Sequence, residues 1–293
     1  MKKILLFPGM AIFIFLCGYS QTAGDTIYFD QNWNQTSKKE ASYFRIVSID
    51  TSRILFLVRD FYLTGQLQME GAYRSINPDV RIGEFLFWHQ NGSKHISCHF
   101  KDGLPDGHYE EWYENGTLKA EKNFIDGRLD GTLKVWSDQG VLTKSIQYKN
   151  GAKHGHFITY YSNGQPIRRD VYKNDKIFRG KCFTPQGTDT AYFEYFIMPK
   201  FKGGLAEFRK FILEKLKYPE DAKLNDEEGS VHIRFTVGMD GYIKGIKLIK
   251  EDKEYFNEEV IQAVASSPKW NAGKRDGKFV DVTITIPIRF KLK

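Results

Sequence analysis

The chain has 293 residues, of which 41% are hydrophobic and 15% aromatic, and its formal net charge is +7. This length and apolar content suit two globular domains and exclude a disordered chain. The basic excess is small and is not gathered into a stripe, so a nucleic-acid partner is not expected.

The chain begins with the pattern of a secretory signal peptide. Lys2 and Lys3 precede a mostly apolar stretch over residues 4–16, and cleavage is expected between Ser20 and Gln21. A spanning helix needs about 20 apolar residues, which is longer than this stretch. Residues 1–20 are therefore predicted to be removed on export, and retention as a membrane anchor is the alternative.

Residues 21–60 form the next segment and carry no motif from which a function follows. Two apolar runs, at 26–30 and 54–58, predict strands within it. We expect these strands to extend or cap the array of repeats that comes next.

Residues 61–190 contain a motif that recurs every 24 residues. Its markers are Gly83, Gly107, Gly131 and Gly155. A large apolar residue stands two positions after each marker (Phe85, Tyr109, Leu133, Phe157), and an aromatic residue stands five positions after it (Trp88, Trp112, Trp136, Tyr160). Such regular recurrence predicts a repeat architecture.

Each unit is predicted to be one β-hairpin. A turn dipeptide follows the second aromatic residue, as Asn91-Gly92, Asn115-Gly116, Gln139-Gly140 and Asn163-Gly164. Asn-Gly tolerates positive φ at both positions, which suits a tight two-residue hairpin turn. A second turn is expected at Gly103, Gly127 and Gly151, with Asp175 in the matching place.

These units resemble the MORN repeats in their divergent bacterial form. Trp112 to Leu118 and Asp126 to Gly131 fit the pattern closely, whereas Gln139 departs from the expected asparagine. The resemblance implies a single-layer β-meander that serves as a scaffold or binding face. The second aromatics are expected to stack on the core side of that sheet, and a ligand-binding stripe is the alternative.

The two cysteines beyond the leader, Cys98 and Cys182, are expected to remain thiols. About seven strand spacings of ~4.8 Å would separate them in a linear array. A disulfide needs Cα atoms less than about 7 Å apart. Neither cysteine belongs to a pattern that predicts a metal site or a cofactor site, and the chain offers none elsewhere.

Beyond residue 199 the pattern mixes helices and strands. Leu205, Phe208, Ile212 and Leu216 have helical spacing before Tyr218-Pro219. Alternating residues 231–237 and 243–249 predict a hairpin turning at 238–241, and Asn257 is expected to be the N-cap of a second helix. Alternation from Val280 to Leu292 predicts a final strand.

This order of elements resembles the C-terminal domain of the TonB family, over about 199–293. Phe201-Lys-Gly203-Gly204, Tyr218-Pro219, Asp240-Gly241 and Pro268-Lys-Trp270 carry the resemblance. The fold expected for the whole chain is therefore an all-β meander of repeats followed by a small α+β domain. The resemblance also implies docking on outer-membrane transporters by strand addition.

The expected partner-binding residues are Tyr218, Pro219, Lys278, Phe279, Val280, Asp281, Val282 and Thr283. Residues 278–285 would form the open sheet edge, with Tyr218-Pro219 beside it, and residues such as Trp270 and Val282 would also build the core.

Two functions remain open at this stage. The first is a periplasmic TonB-like protein that supports transport, with the repeats as spacer and an inner-membrane motor as a further partner if the leader is retained. The alternative is a soluble periplasmic interaction scaffold, which includes a homo-oligomeric one. No nucleophile, paired-carboxylate or phosphate-loop signature predicts an enzyme.

Overall fold

The computed structural model describes residues 26–292, so the predicted leader and its cleavage site at Ser20-Gln21 lie outside the described residues. The chain divides into two compact units, one ending at Ala191 and the other beginning at Tyr192. The first is all-β and the second is α+β, which confirms the predicted fold class.

The first unit is one antiparallel sheet in which strands follow each other in chain order. Its strands are β1 (Thr26–Phe29), β2 (Tyr43–Asp50), β3 (Leu55–Tyr62), β4 (Leu67–Ile76), β5 (Asp79–Trp88), β6 (Lys94–Lys101), β7 (Leu104–Trp112), β8 (Leu118–Ile125), β9 (Arg128–Leu129), β10 (Gly131–Trp136), β11 (Leu142–Lys149), β12 (Ala152–Tyr160), β13 (Pro166–Lys173), β14 (Lys176–Phe183) and β15 (Asp189–Thr190). A 3₁₀ turn, Lys38–Glu40, precedes β2. The meander therefore continues without interruption from the N-terminal segment into the repeats.

The Asn-Gly turn of each unit does not have the two-residue geometry that was expected for it. At Asn91-Gly92 only the glycine has positive φ, and the Gly92 N–H donates to the His89 carbonyl. This is the three-residue loop in which a type I turn is followed by a left-handed glycine. The two-residue turn with positive φ at both positions occurs instead at Asp102-Gly103 and its equivalents.

The asparagine of the longer turn explains why that geometry is used. Asn115 Oδ1 accepts the Thr117 N–H at 3.0 Å, which holds the asparagine in its local turn. Its Nδ2 donates to the Asp138 carbonyl at 2.9 Å, in the corresponding turn of the next unit. The side chain therefore acts as a rung between successive units.

Such rungs repeat along the sheet but are interrupted in one unit. The asparagine rungs are Asn91 to Glu114, Asn115 to Asp138 and Asn163 to Pro185, and the tyrosine rungs are Tyr62 to Trp88, Tyr113 to Trp136 and Tyr161 to Phe183. His89 makes the equivalent contact to the Trp112 carbonyl. Within residues 26–292, the side chains of Ser137 and Gln139 make no such bond to the following unit.

The 24-residue glycine markers lie at irregularities in the sheet. Gly107 has φ +99° and lies where Cys98 and Phe100 pair with Tyr109 and Pro105, leaving extra residues on β7. Gly155 has φ +104° in the same place on β12. Only glycine adopts this backbone readily, so each marker is fixed by a bulge.

Three of the four first large residues of the motif belong to the buried face of the array, beside other buried residues such as Val58 and Tyr73. Phe85, Tyr109 and Phe157 are buried, whereas the second aromatics, such as Trp112, are half-buried. Positions two and five after the glycine differ by an odd number, so their side chains lie on opposite faces of the strand. The expectation that the second aromatics stack on the core side was wrong.

Both cysteines are buried, and no disulfide joins them in the described part of the chain. Cys98 lies in β6 and Cys182 in β14, seven strand spacings apart along the sheet. Burial also raises the pKa of the Cys98 thiol to about 11, so very little reactive thiolate forms at neutral pH.

The second unit contains three helices and two small sheets. Its elements are β16 (Phe196–Ile197), α1 (Gly204–Lys215), α2 (Glu220–Leu224), β17 (Gly229–Val237), β18 (Ile243–Lys250), α3 (Glu254–Ala265), β19 (Gly273–Arg275), β20 (Lys278–Val280) and β21 (Val282–Phe290). One sheet has the order β18-β17-β21 and the other β16-β19-β20. The predicted hairpin of 231–249 is confirmed as β17 and β18.

Two helix details differ from expectation. Leu205 is 58% exposed, so the buried face of α1 consists of Phe208 and Ile212. The helix α3 begins at Glu254, which places Asn257 inside it. Asn257 Nδ2 donates to the Asp252 carbonyl and its Oδ1 accepts the Asp252 N–H, so this side chain fixes the loop before the helix.

Candidate functional site

The strand β21 lies at one edge of the β18-β17-β21 sheet, and within residues 26–292 it pairs only with β17. Its burial alternates: Val282, Ile288 and Phe290 are buried, Ile284 and Ile286 are half-buried, and the residues at the positions between them are exposed. One face therefore packs on the core, and no strand in the described part of the chain pairs with the outer side of the backbone. An edge of this kind can accept another strand.

Pro287 shows which backbone groups of β21 face outward. Proline has no N–H, so it is tolerated in an edge strand where that side faces away from the neighbouring strand. Thr283 and Thr285 lie four and two residues before Pro287, so their backbone groups point to the same side of the strand as those of Pro287. Thr283 Oγ1 lies 2.9 Å from Thr236 Oγ1, as expected for a close pair that does not exchange backbone hydrogen bonds. We infer that Thr283 and Thr285 direct their N–H and carbonyl groups to the open edge.

The opposite edge of the sheet, β18, is poorly suited to a partner strand. Its pairing with β17 has two register shifts, and Gly245 has φ +61°. Lys244, Lys247 and Lys250 are exposed along it. Irregular pairing and lysines are the means by which edges are protected from further pairing. The regular edge of β21 carries neither feature between Val282 and Ile286.

The predicted edge of residues 278–285 is divided between the two sheets. Lys278, Phe279 and Val280 lie in β20, whereas Val282 and Thr283 lie in β21. Asp281 separates them: its carboxylate accepts the Met239 N–H at 2.9 Å and pairs with Lys244 Nζ at 2.7 Å. The Lys244 ammonium, aided by the Met239 N–H, holds the pKa of Asp281 below its usual value.

Tyr218 and Pro219 are not brought to the same place as residues 278–283. The Tyr218 ring packs edge-on against Phe290, with 5.8 Å between centroids, and against Phe256 at 6.0 Å. Its hydroxyl donates to the Glu227 carbonyl. Phe290 ends β21, so at ~3.3 Å per residue Tyr218 lies roughly 26 Å from Val282 along the strand. Pro219 precedes the first residue of α2.

The other motif residues build the core around Trp270. The indole lies 4.8 Å from Phe208, 5.5 Å from Phe201 and 5.9 Å from Phe235, measured between ring centroids. Its backbone N–H donates to the Gly241 carbonyl. A Cβ on Gly241 would lie 2.2 Å from the Trp270 carbonyl oxygen, so the glycine is required for this approach.

Sequence reasoning did not anticipate the hairpin of β19 and β20. The two strands join at Asp276-Gly277, where both residues have positive φ. The Asp-Gly dipeptide was the signal for this turn. Its strands have only three residues each, which is too short for a visible alternation.

Neither a metal centre nor a membrane helix forms in the region that the structure describes. Over residues 26–292, no three His, Cys, Asp or Glu side chains come together where they could hold a metal ion. The helices of that same region are too short or too polar to cross a bilayer.

Comparison with known proteins identifies both regions. Residues 214–292 match the family model of the Gram-negative bacterial TonB protein C-terminal. Residues 105–126 and 153–174 match a variant of the MORN repeat. Both resemblances seen in the sequence are thereby confirmed, and the C-terminal match begins within α1.

One solved structure that is similar is the NMR solution structure of the TonB C-terminal domain of Helicobacter pylori. The two chains are 28% identical over 30% of this chain and 80% of that chain, with a TM-score of 0.25. No curated protein matches the chain. The assignment of the C-terminal region therefore rests on the family model.

Proposed function

We propose that the protein works in the periplasm and binds an extended segment of an outer-membrane transporter, or of another envelope protein, by strand addition to β21. The observation that carries the proposal is the open, regular edge at residues 282–286. The match of residues 214–292 to the TonB C-terminal family supports an envelope partner. The MORN-like sheet would act as spacer or scaffold and would support transport without catalysing a reaction.

The residues predicted to contact the partner take different parts in this proposal. Val282 and Thr283 lie in the strand that receives the partner, together with Thr285. Lys278 to Asp281 flank the start of that strand, and Asp281 fixes its direction through Met239 and Lys244. Tyr218, which Pro219 follows, supports the far end of β21 through Phe290 rather than touching the added strand.

Pro287 sets how far the added strand can pair. It offers no N–H to a partner, so pairing is expected over Val282 to Ile286 and to weaken beyond it. A bound segment of about five residues follows from that length. Specificity would come from the partner side chains that alternate onto the two faces of the sheet.

The proposal is tested with peptides that differ only in backbone methylation. A labelled segment that binds the full chain should lose affinity when alternate amides on its pairing side are N-methylated. The same modification on the other amides should be tolerated. Equal loss from both patterns, or from neither, would rule out strand addition.

Substitutions at a single position give the matched test on the protein. Thr285→Pro removes an outward N–H and should abolish peptide binding, whereas Thr285→Val keeps the backbone group and should retain it. The thermal transition of each variant shows whether the domain is folded. Retained binding by a folded Thr285→Pro variant would contradict the proposal.

Whether the protein transmits force depends on residues 1–20. We propose cleavage between Ser20 and Gln21, which would leave a periplasmic binding protein without its own link to an inner-membrane motor. The mass of the protein isolated from its native envelope, together with membrane fractionation, tests this. An intact chain in the inner-membrane fraction would instead favour a motor complex as partner.

A further inference from the structure

A groove of about 610 Å³ lies beside the smaller sheet of the C-terminal unit. The turn between β17 and β18 and the segment leading from Trp270 to β19 both line the groove. Ile197, Met198 and the strand β20 complete its lining. All of these residues belong to the second unit. The groove adjoins the start of β21 through Met239, which donates to Asp281, but Thr283 and Thr285 are not among its lining residues.

Three large apolar side chains of the groove face water. Met198 is 50% exposed, Met239 59% and Phe279 53%. Methionine side chains are flexible and adapt to differently shaped partners. Apolar groups gathered in a concave place, instead of being scattered over the surface, are typical of a binding site.

The lysines of the groove lack acidic partners. Lys200, Lys269 and Lys274 line it, and none of them forms an ion pair with any residue from 26 to 292. Lys244 and Lys253, elsewhere in this unit, are both paired with carboxylates. The groove therefore presents positive charge that the domain does not itself neutralise.

Two of the lysine ammonium groups lie over aromatic rings, so positive charge and apolar surface are close together in the groove. Lys274 Nζ lies 4.7 Å from the centre of the Phe279 ring, and Lys269 Nζ lies 5.5 Å from that of Tyr242. The only carboxylate in the lining, Asp240, accepts the Tyr242 N–H at 3.0 Å. A ligand that combines carboxylates with apolar side chains would match both properties.

We propose that this groove binds an extended acidic peptide segment of a protein partner. Its carboxylates would meet Lys200, Lys269 and Lys274, and an apolar side chain between them would pack against Met198, Met239 and Phe279. The proposal deepens the proposed function and rests on it in one respect only, namely that the C-terminal unit binds protein segments.

The test uses the full mature chain and two fluorescent peptides measured by anisotropy. One peptide alternates glutamate with leucine, and the other carries glutamine in place of glutamate. The acidic peptide should bind more tightly, and added salt should reduce the difference. Replacing all three groove lysines (Lys200→Gln, Lys269→Gln, Lys274→Gln) should weaken its binding roughly tenfold or more, as for several partly exposed ion pairs.

A matched control removes the same charge elsewhere. Lys210→Gln, Lys215→Gln and Lys247→Gln change exposed lysines outside the groove and should leave the affinity unchanged. Phe279→Ala should weaken both peptides, because it removes the apolar wall. Equal binding of the two peptides, or equal effects of the groove and control substitutions, would overturn the proposal.

Further outcomes separate this proposal from strand addition. If the triple lysine variant loses its preference for the acidic peptide and Thr285→Pro keeps that preference, the groove proposal is supported. This holds even if no peptide binds to β21. If Thr285→Pro alone loses the preference for the acidic peptide, strand addition is supported and the groove proposal is overturned. The groove proposal would also be overturned if the acidic peptide did not bind and the three groove lysines were instead needed for binding to anionic vesicles or for dimerisation.

Discussion

The two units of this chain are stabilised over different distances along the sequence. In the repeat sheet, each strand pairs with its sequence neighbours, and side-chain rungs join positions about 23 residues apart. In the C-terminal unit, Phe201 packs on Trp270, and Gly229 pairs with Phe290. The first arrangement lets a unit be lost or altered locally, whereas the second makes the whole domain depend on each core residue.

The largest effect is expected in the C-terminal core. Phe208 is 1% exposed and contacts Phe201, Phe235 and Trp270. Phe208→Ala should lower the free energy of unfolding of that domain by about 3–5 kcal/mol. Leu213→Ala, at a 69% exposed position of the same helix, is the control and should change it little.

Calorimetry of the full chain measures this prediction. The transition of the C-terminal unit should move to lower temperature, while that of the repeat sheet should not. A similar shift of both transitions would show that the two units unfold together, which contradicts the proposed contrast.

A smaller effect is expected when one rung of the repeat sheet is removed. Asn115→Ala eliminates the bonds to the Thr117 N–H and the Asp138 carbonyl. Two hydrogen bonds should cost about 1–2 kcal/mol in total. Gln139→Ala is the matched control, because Gln139 has the same place in its unit and makes no rung in the described structure.

The interrupted unit allows the same idea to be tested in the stabilising direction. Ser137→Tyr with Gln139→Asn introduces the residue types that form rungs in the neighbouring units. We expect a gain of about 1 kcal/mol in the stability of the repeat sheet, measured by urea unfolding. An unchanged or lower midpoint would mean that the rungs follow from the fold and add little to its stability.

Deletion of a whole unit should have the smallest effect on the C-terminal domain. Removing residues 107–130 shortens the sheet by 24 residues and joins equivalent positions of two units. The thermal transition of residues 192–292 should be unchanged. Its disappearance would show that this domain cannot fold independently of the array.

Contacts between residues close in the sequence could be predicted, whereas contacts between residues far apart in the sequence could not. The hairpins of the array and the alternation of β21 are local patterns, and both are found in the structure. The role of Asn257 was missed because its partner, Asp252, binds it across the start of a helix whose first turn has no clear signal. Leu205 fits the helical spacing, but nothing in the spacing shows that the core ends at Phe208.

The candidate site was predicted only in part for the same reason. Sequence alternation runs through Asp281 without a break, yet the Asp281 contacts with Met239 and Lys244 divide the segment between two sheets. Those partners are about 40 residues away in the chain. The position of Tyr218 against Phe290 likewise depends on tertiary packing.

The most direct test of the central claim is hydrogen exchange of individual backbone amides, with and without a bound partner segment. If a strand adds to β21, the amides of Thr283 and Thr285 should become protected, while those along the outer edge of β18 should not. Unchanged exchange at Thr283 and Thr285 in a saturated complex would contradict strand addition at this edge.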